Sequence, residues 1–363
     1  MPLVIPSRSQ AIRDHRARGG RIAAVFPYHP PRALLRAHGL LPVEVWGPPG
    51  RPTSSGDAHL QPYTCSLVRA GLACLLDGGL AEADALLVPH GCDSLQGLGS
   101  LLLDFVKPER PVWTCYLPRG ERPADHAFLR AELCELEGRI AELSGLGPSA
   151  AELCAAIERE ERADAALGEL LDGRERLGLG EAAFYRLVRS REYLPAERFE
   201  ALAREALARP PELKPRAPIQ ARVLLSGLLP EPMGILDALE QAGATVVADD
   251  LASVGRRRYQ PTRGEDPYAR LAAGLLSGPP DSTRGASVEA RLGHLVRLAR
   301  GADARGVLFL TVKFCEPELF YLPQLRAGLE QVGLRSLMLE VDLAEGLPAA
   351  LITRLEAFVE TLA

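Results

Sequence analysis

Residues 304–315, Ala304-Arg305-Gly306-Val307-Leu308-Phe309-Leu310-Thr311-Val312-Lys313-Phe314-Cys315, repeat the plan of residues 83–92, Ala83-Asp84-Ala85-Leu86-Leu87-Val88-Pro89-His90-Gly91-Cys92. In each, a small residue, a charge and a second small residue lead into an apolar run, and a cysteine follows a few positions later. Short apolar runs bounded by turn signals read as strands buried on both faces, the habit of a parallel sheet. The first run predicts strand Ala85–Val88, with Ile22–Phe26, Val43–Trp46 and Val112–Tyr116 beside it in sequence. The second predicts Val307–Val312, with Val223–Leu225, Thr245–Ala248 and Ser336–Glu340. Helical stretches intervene: Ser66–Leu76, stopped by Gly78-Gly79, then Ile235–Gln241, Val288–Ala299, Glu318–Val332 and Ala349–Thr361. Alternating strands and helices predict parallel sheets with crossover helices. Arg21-Ile22-Ala23-Ala24-Val25 answers Arg222-Val223-Leu224-Leu225, and Ala37-His38-Gly39 answers Gln241-Ala242-Gly243. The chain reads as one α/β plan used twice.

A length of 363 residues exceeds the roughly 100–200 usual for one domain. We divide it into a first α/β domain at 1–123, a helical segment and connector at 124–215, and a second α/β domain at 216–363. The middle segment is rich in Ala, Leu, Glu and Arg at helical spacing, and Pro210-Pro211-Glu212-Leu213-Lys214-Pro215 reads as its stiff exit. Gly255–Gly285, dense in Arg, Gly and Pro, reads as a long functional loop or a set of short helices. Apolar content of 47% with 25% charged residues is that of a soluble globular protein. The net charge of −5 argues against a nucleic-acid surface, which needs a concentrated basic face. No stretch approaches the ~18–20 apolar residues of a membrane span. Met1–Gly20 is Arg-rich without an apolar core, so no secretory signal is read and a cytoplasmic location is expected.

In such a chain the seven cysteines are expected as reduced thiols. Open parallel sheets bind ligands beyond the carboxyl ends of their strands, and Cys92 and Cys315 sit there at equivalent positions. Cys65 opens the helix Ser66–Leu76, where the helix dipole favours a thiolate. Three thiolates from three loop tips can meet between two domains and hold a [4Fe–4S] cubane with one iron left open. A lone free cysteine is equally read as a small buried hydrophobe. Cys74, Cys134 and Cys154 fall inside helical stretches and read as packing residues. Cys115, near the end of Val112–Tyr116, reads as a packing or cleft-lining thiol with a fourth ligand as its alternative.

Zinc spacing of the CxxC or HxxxH kind is absent, as is a G-x-S-x-G nucleophile elbow. Asp249-Asp250 ends a strand where a ribose-binding acid would lie, but neither Gly227–Gly234 nor the Phe26–Pro31 turn carries G-x-G-x-x-G. Tyr28 and His29 occupy the first strand-to-helix turn and are expected to face the cleft, as substrate contacts or as packed loop residues. Arg256, in Arg256-Arg257-Arg258, is a candidate for the phosphates of coenzyme A, with plain surface as the alternative.

Three motifs of the first half then carry a resemblance: Pro31-x-x-Leu34-Leu35-x-Ala37-x-Gly39-x-x-Pro42, Tyr63-Thr64-Cys65-Ser66-Leu67-Val68-Arg69 and His90-Gly91-Cys92-Asp93-Ser94. In the second half Val246–Leu251, Gly255-Arg256, Val312-Lys313-Phe314-Cys315-Glu316-Pro317-Glu318 and Thr353–Glu360 continue it. Together they resemble the 2-hydroxyacyl-CoA dehydratase family, which includes benzoyl-CoA reductase subunits. The resemblance implies two flavodoxin-like domains, with a [4Fe–4S] cluster on Cys65, Cys92 and Cys315 between them. It implies an acyl-CoA substrate, a related second subunit in a heterodimer, and an ATP-dependent iron–sulfur activator that injects single electrons. The implied reaction is radical dehydration of a 2-hydroxyacyl-CoA to an enoyl-CoA. The β-hydrogen of such a substrate is not acidic, and one-electron reduction of the thioester carbonyl to a ketyl lets the 2-hydroxyl leave. Aryl-CoA reduction and a purely electron-relaying subunit are the alternatives. The extra cysteines with which some relatives build larger clusters are missing, and the loop Asp249–Arg256 is longer than the family pattern.

Overall fold

In the computed structural model, which describes residues 3–210 and 221–362, eight strands form two four-stranded sheets, each parallel throughout. The first half runs α1 (Arg8–Arg16), β1 (Arg21–Val25), α2 (Arg32–Ala37), β2 (Leu40–Glu44), α3 (Ser54–Asp57), α4 (Ser66–Leu76), β3 (Ala85–His90), α5 (Asp93–Leu101) and β4 (Val112–Tyr116). Helices α6 (Pro123–Ser144), α7 (Ala150–Asp172), α8 (Glu181–Arg189) and α9 (Ala196–Ala208) follow. The second half runs β5 (Ala221–Gly227), α10 (Gly234–Gln241), β6 (Ala244–Leu251), α11 (Pro267–Leu276) and α12 (Val288–Gly301). It closes with β7 (Gly306–Val312), α13 (Glu316–Gln331), β8 (Arg335–Val341) and α14 (Ala349–Leu362). This is the two-sheet α/β, flavodoxin-like arrangement expected. Most of the connector Pro210–Pro215 lies outside the described residues.

The strand orders β2-β1-β3-β4 and β6-β5-β7-β8 are the same, so the repeat is topological. Its register differs by one residue from the pairing that the apolar runs suggest. Arg21 N–H donates to Gly39 C=O and Ala221 N–H to Gly243 C=O, so Arg21 answers Ala221 and not Arg222. Apolar runs do not set register between halves; the glycine turns do, with Gly39 and Gly243 at φ 74° and 79°. β2 also starts and ends earlier than Val43–Trp46. It is an edge strand, so Pro42 withholds no bond from an inner ladder.

The central strands β3 and β7 are buried along their whole length, while the edge strand β8 exposes Arg335 and Glu340. The helical segment is divided between the sheets. Leu129, Leu133 and Leu136 of α6 and Leu153 of α7 pack on Ala23, Val25 and Leu87 of the first sheet. Leu167 and Leu170 of α7, with α8 and α9, pack on β5, β6 and β7 instead. The stretch expected as loop or short helices contains α11, whose Leu271 and Leu275 return to the core of the first half.

Charge also joins the halves. Glu44 is fully buried and accepts hydrogen bonds from Arg32 (3.1 Å), from Trp46 Nε1 (3.0 Å) and from Arg257 of the second half. A third apolar cluster forms beyond the strand ends from Phe26, Leu67 and Leu95 of one half and Leu228, Val312 and Leu343 of the other. The three cysteines lie within or against it. No helix among the described residues is long and apolar enough to cross a membrane.

Candidate three-thiol site

Cys65, Cys92 and Cys315 are the N-cap residues of α4, α5 and α13. The sequence alone puts Cys65 at a helix start; the equivalent placement of the other two follows from the fold. Each helix begins where a strand end or turn delivers the chain to the shared edge of the sheets. Ahead of Cys315 this turn needs Phe314 in the left-handed region, at φ 61°, which is uncommon for an aromatic residue. Backbone bonds then tie the tips together. Ser66 N–H donates to Lys313 C=O (3.1 Å), Lys313 N–H to Val341 C=O (2.8 Å) and Gly50 N–H to Leu343 C=O (2.7 Å). The helix carrying Cys65 is thus bonded to the turn carrying Cys315, across the two halves.

All three cysteines line one cavity, walled by Pro27, Tyr28, Leu228, Thr283 and Pro317. Cys65 and Cys315 are buried and Cys92 is half-buried. The Cys315 thiol hydrogen-bonds Cys65 and holds the Cys65 thiol below its ordinary range against the effect of burial, helped by the first-turn N–H groups of Leu67 and Val68. The same bond, then burial, pushes the Cys315 thiol up, and burial raises Cys92 to about 12. First-turn N–H groups of Leu95 and Ser94 act on Cys92, and that of Glu318 on Cys315, in the direction that favours negative charge. Three helix N-termini therefore address one point, and their dipoles favour an anionic occupant.

The wall holds no carboxylate, imidazole or ammonium group. Among the described residues no three His, Cys, Asp or Glu side chains are grouped to hold a single metal ion. Three thiols in an apolar wall form a soft donor set, suited to an iron–sulfur cluster and unsuited to a hard cation. The Tyr28 hydroxyl adds a buried polar atom with no hydrogen-bond partner at the same cavity. The free space is about 20 Å³, close to that of one water. A cluster would take the place of the Cys65–Cys315 hydrogen bond.

The other candidates separate. Tyr28 reaches the cavity, with its ring edge-on to Trp46 at 6.0 Å. His29 does not line it. Its Nδ1 pairs with the Tyr259 hydroxyl at 2.6 Å, its Nε2 has no partner, and burial lowers its pKa to about 4, so the ring is neutral. Tyr28 and His29 both have positive φ, 86° and 43°. Strained backbone of this kind persists where the surroundings over-determine it, often beside functional sites.

Arg256 corrects the expectation of a phosphate contact. Its side chain is fully buried and meets Asp250 (3.4 Å), Asp281 (3.4 Å) and Glu318 (2.8 Å). Arg257 is equally committed to Glu44, and Arg258 to Asp172. Glu318 belongs to the first turn of α13, so Arg256 braces the helix that presents Cys315. Sequence reading misses this role. The local signal is the acid three residues after Cys315, but its partner lies 62 positions away.

Cys115 is buried in the first sheet's core with Leu87, Leu129 and Leu133, away from the three-thiol cavity. Cys74, Cys134 and Cys154 are half-buried on helices, as expected.

A family model described as 2-hydroxyglutaryl-CoA dehydratase, D-component, matches residues 27–362. The chain is 27% identical over 384 residues to lactoyl-CoA dehydratase subunit beta of Anaerotignum propionicum, covering 99% of this chain and 96% of that one. It is 24% identical over 380 residues to (R)-2-hydroxyglutaryl-CoA dehydratase subunit beta of Acidaminococcus fermentans, with 99% and 97% covered. With a benzoyl-CoA reductase subunit of Thauera aromatica it shares 27% identity over 316 residues, covering 84% and 81%.

Proposed function

The chain belongs to the 2-hydroxyglutaryl-CoA dehydratase D-component family, and from that premise we propose that it is the iron–sulfur subunit of a 2-hydroxyacyl-CoA dehydratase-type complex of the cytoplasm. The observation that carries the proposal is the meeting of Cys65, Cys92 and Cys315 in one cavity at three helix N-termini. These three residues would hold a [4Fe–4S] cluster. When bound, such a cluster supplies one-electron redox chemistry at a potential set by its hydrogen bonds and burial. The chain's own residues do the rest. Helix dipoles offset the negative charge, and Pro27, Leu228 and Pro317 keep out water. The Tyr28 hydroxyl presents a donor toward whatever completes the site. Its phenol, raised well above the usual range by burial, stays protonated and can give a hydrogen bond without losing its proton.

A second reading is favoured by the beta-subunit names of two relatives. The cluster of this subunit would then relay electrons to a related second subunit that binds the thioester, after an ATP-dependent iron–sulfur activator has loaded it. The beta-subunit names of two relatives agree with a chain that works beside another.

The test is anaerobic reconstitution. The protein is expected to turn brown, bind about four irons per chain and give an EPR signal on reduction. Reconstituted with its second subunit and activator, it should dehydrate a 2-hydroxyacyl-CoA, and substrate should bind the second subunit in the absence of this one. An iron-free, colourless chain refutes the iron–sulfur assignment. Turnover of an aryl-CoA instead of a hydroxyacyl-CoA assigns the complex to ring reduction.

A further inference from the structure

A larger cavity lies elsewhere, and the function proposed above makes no use of it. It measures about 860 Å³ and opens between α1, the edge of the first sheet and α8 of the helical segment. Ile12, Ile22, Val43, Trp46, Leu80 and Tyr193 give it an apolar body, and its volume is that of a small-molecule site. Four arginines and four glutamates also line it.

The charges do not cancel evenly. Glu192 is held by Arg8 (2.9 Å) and Arg189 (2.7 Å), and Glu231 by Arg189. Glu44 is neutralised from behind the wall by Arg32 and Arg257, and Glu82 faces Arg16 at 3.9 Å. Glu44, Glu192 and Glu231 are therefore answered, while the exposed Glu82 shares Arg16 with Asp84, which is closer at 3.0 Å. Arg13 and Arg186 are exposed and have no carboxylate partner among the described residues; Arg13 bonds only the side chain of Gln10 (2.8 Å). The lining thus combines an apolar interior with two uncompensated guanidinium groups.

We infer that this cavity binds an anionic amphiphile, an acyl or aryl group ending in a carboxylate or phosphate, at a site distinct from the three-thiol cavity. Burial of the chain against Ile12, Ile22 and Val43 provides most of the attraction, and Arg13 and Arg186 select the charged end. Trp46 lines this cavity and abuts Tyr28 edge-on, and Tyr28 lines the other. Two aromatic rings therefore stand between an occupant and the sulfurs, so the ligand touches none of them.

Trp46 also reports occupancy. The chain has two tryptophans, and Trp113 belongs to the opposite core. Titration of the full-length protein with decanoate, decanoyl-CoA and neutral decanol, followed by emission and calorimetry, tests the inference. Decanoate or decanoyl-CoA is expected to bind saturably, with an emission change that disappears in Trp46→Phe. Arg186→Glu should weaken binding about tenfold, equivalent to about 1.4 kcal/mol, and more so at low salt. Arg297→Glu, the same charge change on the exposed face of α12, should leave it unaltered. Tighter binding of decanoate points to a free acid, and of decanoyl-CoA to a thioester; both support the site. Absence of saturable binding, affinity for decanol equal to that for decanoate, or indifference to Arg186→Glu overturns it. Iron content measured on the same samples separates the two proposals. Iron without amphiphile binding defeats only this one, and amphiphile binding without iron defeats only the cluster.

Discussion

Replacing Cys65, Cys92 or Cys315 by alanine, one at a time, is expected to take bound iron in the anaerobically reconstituted protein from about four per chain to near zero. The expectation rests on their sharing one cavity, where no other thiol, carboxylate or imidazole in the wall can substitute for a lost ligand. Cys115→Ala is the informative comparison. That thiol is as deeply buried as Cys65 and Cys315, and burial pushes its pKa up to about 12. It packs among leucines of the first sheet, however, away from the three-thiol cavity. Its removal should lower stability by about 1 kcal/mol, as for other small buried deletions, and leave iron content unchanged. Cys134→Ala, at a half-buried position of α6, should affect neither. Iron retained in Cys92→Ala, or lost in Cys115→Ala, would show that the ligand set is wrong.

The second large effect is expected at a residue that does not line the three-thiol cavity. Asp250 is fully buried and accepts two hydrogen bonds from Arg291, at 3.0 and 2.6 Å, and one from the Ser226 hydroxyl at 2.7 Å. Arg256 Nη2 lies at 3.4 Å and His294 Nε2 at 3.2 Å. Asp250→Ala leaves Arg256 and Arg291 as buried cations short of a carboxylate. Breaking a buried pair in this way typically costs about 3–5 kcal/mol, far more than the near-zero effect of a surface pair. The urea midpoint should fall accordingly. Because Arg256 also grips Glu318 at the start of α13, the Cys315 helix should lose its brace and iron occupancy should fall with stability. An unchanged midpoint would mean that the network is not coupled to folding.

Acid should act on the same network. The guanidinium groups of Arg256 and Arg291 hold the Asp250 carboxyl well below its usual range and, with His29, hold Asp281 at about 2, against the effect of burial. Groups whose folded pKa is depressed stabilise the native state above their unfolded value. This contribution is complete above about pH 4 and is lost as the pH falls toward 2. Asp249, the preceding residue, behaves oppositely. Burial raises it to about 6 although the Tyr185 hydroxyl (2.6 Å) and the Leu251 and Gly255 N–H groups donate to it. Its raised pKa favours the native state at low pH, and that advantage fades between about pH 4 and 6. Consecutive strand residues point to opposite faces, so the two acids meet different surroundings. Asp249→Asn should remove this fall between about pH 4 and 6, uncover the opposing rise from His29, whose buried ring has its pKa lowered to about 4, and leave the acid limb, which can be followed in denaturation curves recorded at several pH values.

The strands, their parallel pairing and the two-fold use of one plan were legible from residues 83–92 and 304–315, because strand burial on both faces writes itself as a continuous apolar run. The helix Ser66–Leu76 and the strand Val112–Tyr116 were readable to the residue for the same local reason, apolar period bounded by turns. The candidate cysteines were legible through their positions at strand and helix ends, together with the family motifs around them. What only the tertiary structure decided depends on contacts between distant segments, which leave no local pattern. Such contacts place Cys92 and Cys315 as helix caps facing Cys65 and direct Tyr28, but not His29, to that cavity. They also bury Arg256 beneath α13, where sequence had suggested a phosphate contact. A basic triplet reads the same on a surface as in a core, and only its partners, most of them supplied from 25 to 213 positions away, convert it from one to the other.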